Sequence, residues 1–413
     1  MSKTPSSILI IYFILLQSIA VSKTITVGPN ERIKTIKQAL EICNDGDIIK
    51  VTKWLYLENN LVITKQVSLI GIDYPTISGE KKERIITVKA DNVTINGIHF
   101  TDTGTSFVKD NSAIRLDSVA NCVVVNNRLT NNFFGIYLAR SSNSIVKNNE
   151  VVSTTKTQTY SGNGIHLWYC SDIEISGNTV DGHRDGIYLE FVKRSVIKDN
   201  LSKRNLRYGL HFMFSDSCSY FQNKFEHNSA GVAVMFTHHV QMYNNLFENN
   251  WGDASYGLLL KDISNSKIYN NVFKRNTCGI YLEGSNRNII EYNLFERNGW
   301  AIRLMANSMD NNFRKNNFLS NSFEVATNNT KNFNTFSNNY WSDYQGYDLN
   351  NDGIGEVPHH PVKLFSIIVE KNRPTLLLLR SFFVELLNAA EKIFPVLTPE
   401  TLVDKNPEMS MIK

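Results

Sequence analysis

The chain has 413 residues, 42% of them apolar and 20% charged, with 22 Gly and 9 Pro. This excludes a disordered chain, a collagen and a disulfide-dense miniprotein. Lys and Arg number 43 against 39 Asp and Glu, a net charge of +4, too balanced for a nucleic-acid binder, so no nucleic-acid partner is expected.

In chain order, Lys3 precedes an apolar run from Ile8 to Leu16, and the small residues Ala20 and Ser22 follow. This predicts a secretory signal peptide over 1–22, cleaved so that the mature protein works outside the cytoplasm. The run is too short for a span of about 20 residues. Residues 23–112 read as an N-terminal cap and the first irregular coils. Ile33, Ile36, Leu40 and Cys43 recur at helical spacing, and apolar runs near 48–51, 67–70, 85–88 and 93–95 predict strands. The five cysteines, Cys43, Cys122, Cys170, Cys218 and Cys278, are widely spaced with no C-x-x-C. Most of them are expected to be small buried thiols.

Residues 113–345 carry a repeat. Ala113-Ile-Arg-Leu, Gly135-Ile-Tyr-Leu, Gly164-Ile-His-Leu, Gly186-Ile-Tyr-Leu, Gly209-Leu-His-Phe, Gly231-Val-Ala-Val, Gly257-Leu-Leu-Leu, Gly279-Ile-Tyr-Leu and Ala301-Ile-Arg-Leu align. The steps are 22, 29, 22, 23, 22, 26, 22 and 22 residues. An Asn stands 14 residues after each of the first eight starts, from Asn127 to Asn293, then slips by one to Asn316 and is expected next at Asn338. A large apolar residue follows two places on in most units, ending at Tyr340. The second and fourth positions of each unit are apolar, so each is a strand with one buried face. Three short strands in about 22 residues make one coil of an all-β, right-handed parallel β-helix. The recurrent Asn is expected to form a ladder at a tight corner, because Asn tolerates left-handed backbone and its amides can bond along the stack. After Tyr344 the repeat stops. Residues 346–413 read as an acidic Gly-rich loop and an amphipathic helical tail (375–394), which caps the last coil or docks on a membrane partner.

Function must come from the outward columns of the sheet. The third and fifth residues of successive units give Arg115/Asp117, Tyr137/Ala139, His166/Trp168, Tyr188/Glu190, His211/Met213, Ala233/Met235, Leu259/Lys261, Tyr281/Glu283 and Arg303/Met305. Insertions at 155–163 and 251–256 lengthen one corner on either side of a surface cleft expected to hold His166, Trp168, Tyr188 and Glu190. Imidazole and thioether donors suit Cu(I), which makes His211, Met213, Met235, His238 and His239 candidate copper ligands. The same face suits stacking on a sugar chain, or is an ordinary solvated sheet face. Asp348, Asn350, Asp352 and Glu356 match part of an oxygen-ligand calcium loop, but His359 takes the twelfth place, where a bidentate Glu belongs. The other reading of this segment is a polar Asx turn.

The cap helix, the Gly-Ile-x-Leu/Asn repeats and above all Asn338-Asn-Tyr-Trp-Ser-Asp-Tyr-Gln-Gly-Tyr-Asp-Leu-Asn-Asn-Asp-Gly-Ile-Gly-Glu-Val-Pro358 resemble the NosD family. Glu356 stands where that family usually has Asp, and His359 and His360 replace its usual Tyr. The resemblance implies a non-enzymatic periplasmic protein, associated with the membrane through an ABC-type ATPase and permease. It also implies that copper is accepted from a membrane-anchored copper chaperone and handed to nitrous-oxide reductase for its copper centre. The rival reading is a secreted carbohydrate-binding or carbohydrate-active β-helix, a lyase or epimerase. Such an enzyme needs an acid/base group, and Arg184-Asp185 beside Tyr188 is the nearest approach to one.

Overall fold

In a computed structural model, residues 22–106, 108–328, 332–379, 381–393 and 402–413 are described. Residues 1–21 of the expected signal peptide lie outside them. The chain winds as a right-handed parallel β-helix whose three sheets hold 14, 12 and 13 strands. One complete coil runs through Asp185–Glu190, Val196–Lys198 and Leu201–Lys203 before Tyr208–Met213 begins the next. The 12-stranded sheet carries the Gly-Ile-x-Leu strands. Pairing is parallel with residues stacked in register, as in Ile187↔Leu210, Ile197↔Tyr220 and Ser202↔Phe225.

The first coils belong to the same stack as the regular ones: Thr24–Val27 pairs with Ile48–Val51, which pairs with Ser68–Gly71. The solenoid is therefore longer than the nine marked repeats suggest, roughly 60 Å over 14 strands at about 4.8 Å each. Early coils escape the repeat pattern because their strands in the 12-stranded sheet shrink to three residues, Leu61–Ile63 and Ile86–Val88. The cap helix is Ile36–Ile42, shorter than the apolar spacing predicts. Thr35 caps it through its side chain, and the Glu58 carboxylate accepts from the first amides, Ile36 N at 2.8 Å and Lys37 N at 2.9 Å. Ile33 instead bridges to Val27.

The corner between the second and third strands has two residues. The first has left-handed backbone, as at Asp199, Gln222, Asn244, Asn270 and Tyr292 with φ 54–56°. The second is the recurrent Asn. Both the backbone N and Nδ2 of Asn200 donate to Asn223 Oδ1 at 3.0 Å, while Nδ2 also reaches Ile175 O at 3.0 Å in the preceding coil. Each Asn thus ties three coils together. The ladder runs from Asn127 to Asn316 and then to Asn339, not Asn338. Correspondingly, Trp341 rather than Tyr340 takes the core position, stacked 4.0 Å from Phe318 at the end of a column through Phe225, Phe247, Phe273 and Phe295. A second ladder, absent from the sequence reading, holds the next corner through Asn205, Asn228, Asn250, Asn276, Asn298 and Asn321. All five cysteines are free and buried.

The tail is helical at Leu364–Lys371 and Phe382–Ile393, with a 3₁₀ segment Arg373–Leu378 between them. Phe365, Val369 and Val384 pack against Phe323 on the side of the last coils. Among the described residues no helix is long and apolar enough to cross a membrane. The end of the stack is closed by residues 402–413, which are not helical: Phe336 bridges Asp404 and Tyr340 bridges Glu408, both parallel. Fully buried Asp404 terminates the ladder, its Oδ2 accepting from Asn339 N at 3.0 Å, Asn339 Nδ2 at 2.9 Å and Trp341 Nε1 at 3.2 Å. Asp404→Ala strands these buried donors and is expected to cost about 2 kcal/mol or more. Hydrogen exchange should show lost protection confined to the last coils, with Lys405→Ala as the silent control.

Candidate functional site

Both predicted columns form on the outward face of the 12-stranded sheet. Registers link Arg115↔Tyr137, Tyr137↔His166, His166↔Tyr188 and Tyr188↔His211, and in the other column Trp168↔Glu190, Glu190↔Met213 and Met213↔Met235. The two columns differ in burial. His166 is 8% exposed and His211 3%, whereas Trp168, Glu190, Met213 and Met235 are half-buried.

The first column is closed over rather than open as a cleft. His166 stacks on Tyr137 at 4.4 Å and meets Phe134 edge-on at 5.5 Å, and the inserted loop supplies Asn163, whose Nδ2 lies 3.1 Å from His166 Nδ1. His211 sits between the Tyr188 and Tyr208 rings, each 4.8 Å away. Sequence reasoning named Asp185 only as a neighbour of Tyr188 and missed Arg207 and the link from this carboxylate to His211. Arg207 grips the fully buried Asp185 with two hydrogen bonds, Nε to Oδ1 at 2.8 Å and Nη2 to Oδ2, and His211 Nδ1 lies 3.4 Å from the same carboxylate. Burial pushes the Asp185 carboxyl up, but the bonds and charges of Arg207 and His211 outweigh it and hold it down at about 2. The available signal was a charged residue at the position before the repeat Gly, where other coils have Phe134, Ala230 or Cys278.

The second column stays accessible. Met213 and Met235 are direct register partners on neighbouring strands, and Glu190 is one coil below Met213 with its carboxyl raised by burial. The residue following this column is aromatic in four consecutive coils, Tyr169, Phe191, Phe214 and Phe236, all at positive φ. Their rings stack in series at 4.6, 5.1 and 5.1 Å. Neighbouring coils place Arg140, Asp262 and Gly284 there, residue types that suit a solvated left-handed corner better than a bulky aromatic. The Met pair is therefore bordered by an exposed aromatic stair.

The remaining candidates separate. His238 and His239 are exposed at the next corner, with His238 Nδ1 2.7 Å from Ser264 Oγ. His359 is buried and held by Glu324, Nε2 to Oε2 at 2.8 Å. In the acidic loop, Asp348 accepts from Asp352 N and Gly353 N, Asn350 from Asp352 N, and Glu356 from Leu349 N, so their oxygens are engaged in turns of the loop itself. Among the described residues no three His, Cys, Asp or Glu side chains converge as a metal-holding group.

The molecule is thus a capped β-helix that presents soft donors and aromatic rings on one sheet face. Comparison with known proteins narrows this. The family model for NosD, described as a periplasmic copper-binding protein, matches residues 148–346, which include the columns from His166 and Trp168 onward. A protein of Stutzerimonas stutzeri named as a probable ABC transporter binding protein NosD is 28% identical over 346 residues, covering 79% of this chain and 78% of its own. Its namesake in Pseudomonas aeruginosa is 27% identical over 371 residues, covering 85% and 86%. The chain is thus similar to the NosD family over residues 148–346 and to these two relatives over most of its length. Among solved structures, a family 28 exopolygalacturonase of Yersinia enterocolitica matches with TM-score 0.53 at 11% identity, covering 76% of this chain and 79% of its own. The A-module of mannuronan C-5 epimerase AlgE6 from Azotobacter vinelandii matches equally, covering 75% and 93%. At such identities the likeness is one of fold alone.

The closed column sets a pH dependence. Burial, with help from the Arg184, Arg115 and His211 charges, lowers the His166 pKa to about 3, and burial lowers that of His183 to about 4, from an ordinary 6.5. Between pH 6.5 and about 4 the unfolded chain binds protons that the folded chain refuses. Stability should therefore fall as pH is lowered through that window, by about 1.4 kcal/mol per pH unit for each histidine. Urea titrations at several pH values check this, and His166→Gln with His183→Gln should flatten the slope.

Proposed function

We propose that this chain binds copper in the periplasm and serves an ABC-type transporter, carrying copper as Cu(I) toward maturation of nitrous-oxide reductase without itself catalysing a reaction. In this reading an ATPase and a membrane permease are its standing partners, a membrane-anchored chaperone supplies the metal, and the reductase receives it. The copper-binding description of the matched family and the transporter names of both relatives support it.

The observation that carries the reading is the register pair Met213↔Met235. It brings two thioethers together on an accessible face at the strand spacing of about 4.8 Å. Thioether sulfur is a soft donor that prefers Cu(I) to the hard cations. His211 lies on the same face of its strand, and its Nε2 has no hydrogen-bond partner. Its Nδ1 contact with Asp185 is the kind of outer-shell bond that orients a ligating imidazole. His238 and His239 sit at the exposed rim, where metal arriving from a donor would meet them before the Met pair.

The carbohydrate-enzyme reading has less behind it. The sugar-active neighbours share only the fold, and Asp185, the nearest acid/base candidate, is fully buried and clamped by Arg207. The test is anaerobic competition for Cu(I) against a chromogenic chelator. Met213→Leu with Met235→Leu preserves packing volume and should weaken binding by tenfold or more, about 1.4 kcal/mol, while His238→Ala with His239→Ala should slow loading more than it lowers affinity. Unchanged affinity in the double Met variant would overturn this site.

A further inference from the structure

A second site lies at the other end of the same sheet face, and it does not depend on the copper reading. The lengthened corner at 251–256, the strands Cys278–Glu283 and Trp300–Leu304, and the tail elements Leu364–Lys371 and Arg373–Leu378 enclose a cavity of about 390 Å³. That volume lies in the lower part of the roughly 300–1,000 Å³ range of small-molecule sites, which favour junctions between separately folded parts. Val369 and Leu376 give it an apolar wall, and Tyr256 and Trp300 line it with rings.

Its lining carries two guanidinium groups, Arg303 and Arg373, two carboxylates, Asp253 and Glu370, and the indole N–H of Trp300. Arg303 Nη2 donates to Glu370 of the tail helix, and the guanidinium lies over the Tyr281 and Trp300 rings, 5.3 and 5.5 Å from their centroids. Its orientation is therefore fixed from three sides. Arg303 Nε and Trp300 Nε1 are nonetheless buried without any hydrogen-bond partner. Leaving such donors unmatched costs about 1–3 kcal/mol each, and a built cavity holding two of them is suited to an acceptor. At the rim Arg373 and Asp253 are both exposed and add one charge of each sign. The one soft nucleophile present, Cys278, is a fully buried thiol whose Sγ donates to Ile280 O at 3.3 Å. Burial pushes its pKa up to about 12, so it offers no thiolate to a metal.

We propose that this cavity binds a small organic carboxylate with an apolar body, its oxygens accepting from Trp300 Nε1 and Arg303 Nε and its hydrocarbon part lying against Tyr256, Val369 and Leu376. Such a ligand touches both the solenoid and the tail, so its binding also fastens the tail to the β-helix.

The test uses the full mature chain with benzoate as probe, benzamide as its uncharged isostere, hexanoate as an aliphatic carboxylate and inorganic phosphate as an anion without an apolar body. Calorimetry should show both carboxylates binding at least tenfold more tightly than benzamide and phosphate, and benzoate should raise Tm. Trp300→Phe keeps the ring and removes the N–H, and it should weaken benzoate about five- to tenfold. Trp251→Phe, outside the cavity lining, should leave it unchanged. A crystal of the benzoate complex should place the carboxylate within hydrogen-bond distance of both donors. No binding of either carboxylate at up to about 10 mM, near −2.7 kcal/mol, overturns the proposal. So do equal affinities for benzoate and benzamide, phosphate binding as tight as benzoate, or a Trp300→Phe chain that binds as before. None of these outcomes bears on Cu(I) affinity, so the two sites stand or fall separately.

Discussion

The amide-to-amide hydrogen bond between an Asn and the Asn one coil above it is the interaction on which the rest depends. One such bond contributes only about 1 kcal/mol net, but each ladder Asn also donates to a carbonyl of the coil below. The corner amides are thereby satisfied in a dry interior, where an unmatched group would cost more than a made bond returns. The ladders also fix register. Two of the coil steps, 29 and 26 residues, exceed the common 22 or 23, yet Ile136↔Ile165 and Val232↔Leu258 remain in line. The extra residues leave the stack at one corner, which has become the 155–163 and 251–256 loops.

A fixed register converts a one-dimensional repeat into columns, and columns gather like or complementary side chains without any sequence neighbourhood between them. Inward, this gives the continuous aromatic stack from Phe225 to Trp341. Outward, it gives the buried His and Tyr column, the Met213↔Met235 pair and the stair of four aromatic rings. Those rings occupy left-handed corners, which is unfavourable backbone for bulky side chains, and they remain partly exposed. Local preference argues against aromatics there, and stacking in series at 4.6–5.1 Å is what holds the four rings on consecutive coils beside the thioethers.

Whatever repeats was legible in the sequence. The coil length, the Asn corner, the alternation within strands and both outward columns could be read from spacing, because every one of them recurs. Single events could not be read. Asn338 and Asn339 are adjacent, and only the carboxylate of Asp404, 65 residues on, decides which of them ends the ladder. The spacing suggested a helix through Ile33, but that residue is apolar because it bridges Val27. The columns were expected to be open, and His166 is covered because Phe134 and the inserted loop close over it. Arg207 lies a coil away from Asp185, and Trp300 and Arg303 become cavity residues only through a tail that docks from far along the chain. The second Asn ladder was visible at the same spacing and simply lay in the shadow of the first.

The match to the NosD family model over residues 148–346 and the accessible thioether pair are the two supports of the proposed copper site. On the proposed reading Met213 and Met235 hold Cu(I). X-ray absorption at the copper edge of the anaerobically loaded full chain tests it most directly, because sulfur and nitrogen or oxygen scatterers are distinguishable around the metal. A sulfur shell is expected in the parent protein and should be lost in the Met213→Leu, Met235→Leu double variant, with the buried cysteines unaltered in both. A nitrogen-and-oxygen shell in the parent, or a sulfur shell that survives the double substitution, would contradict it.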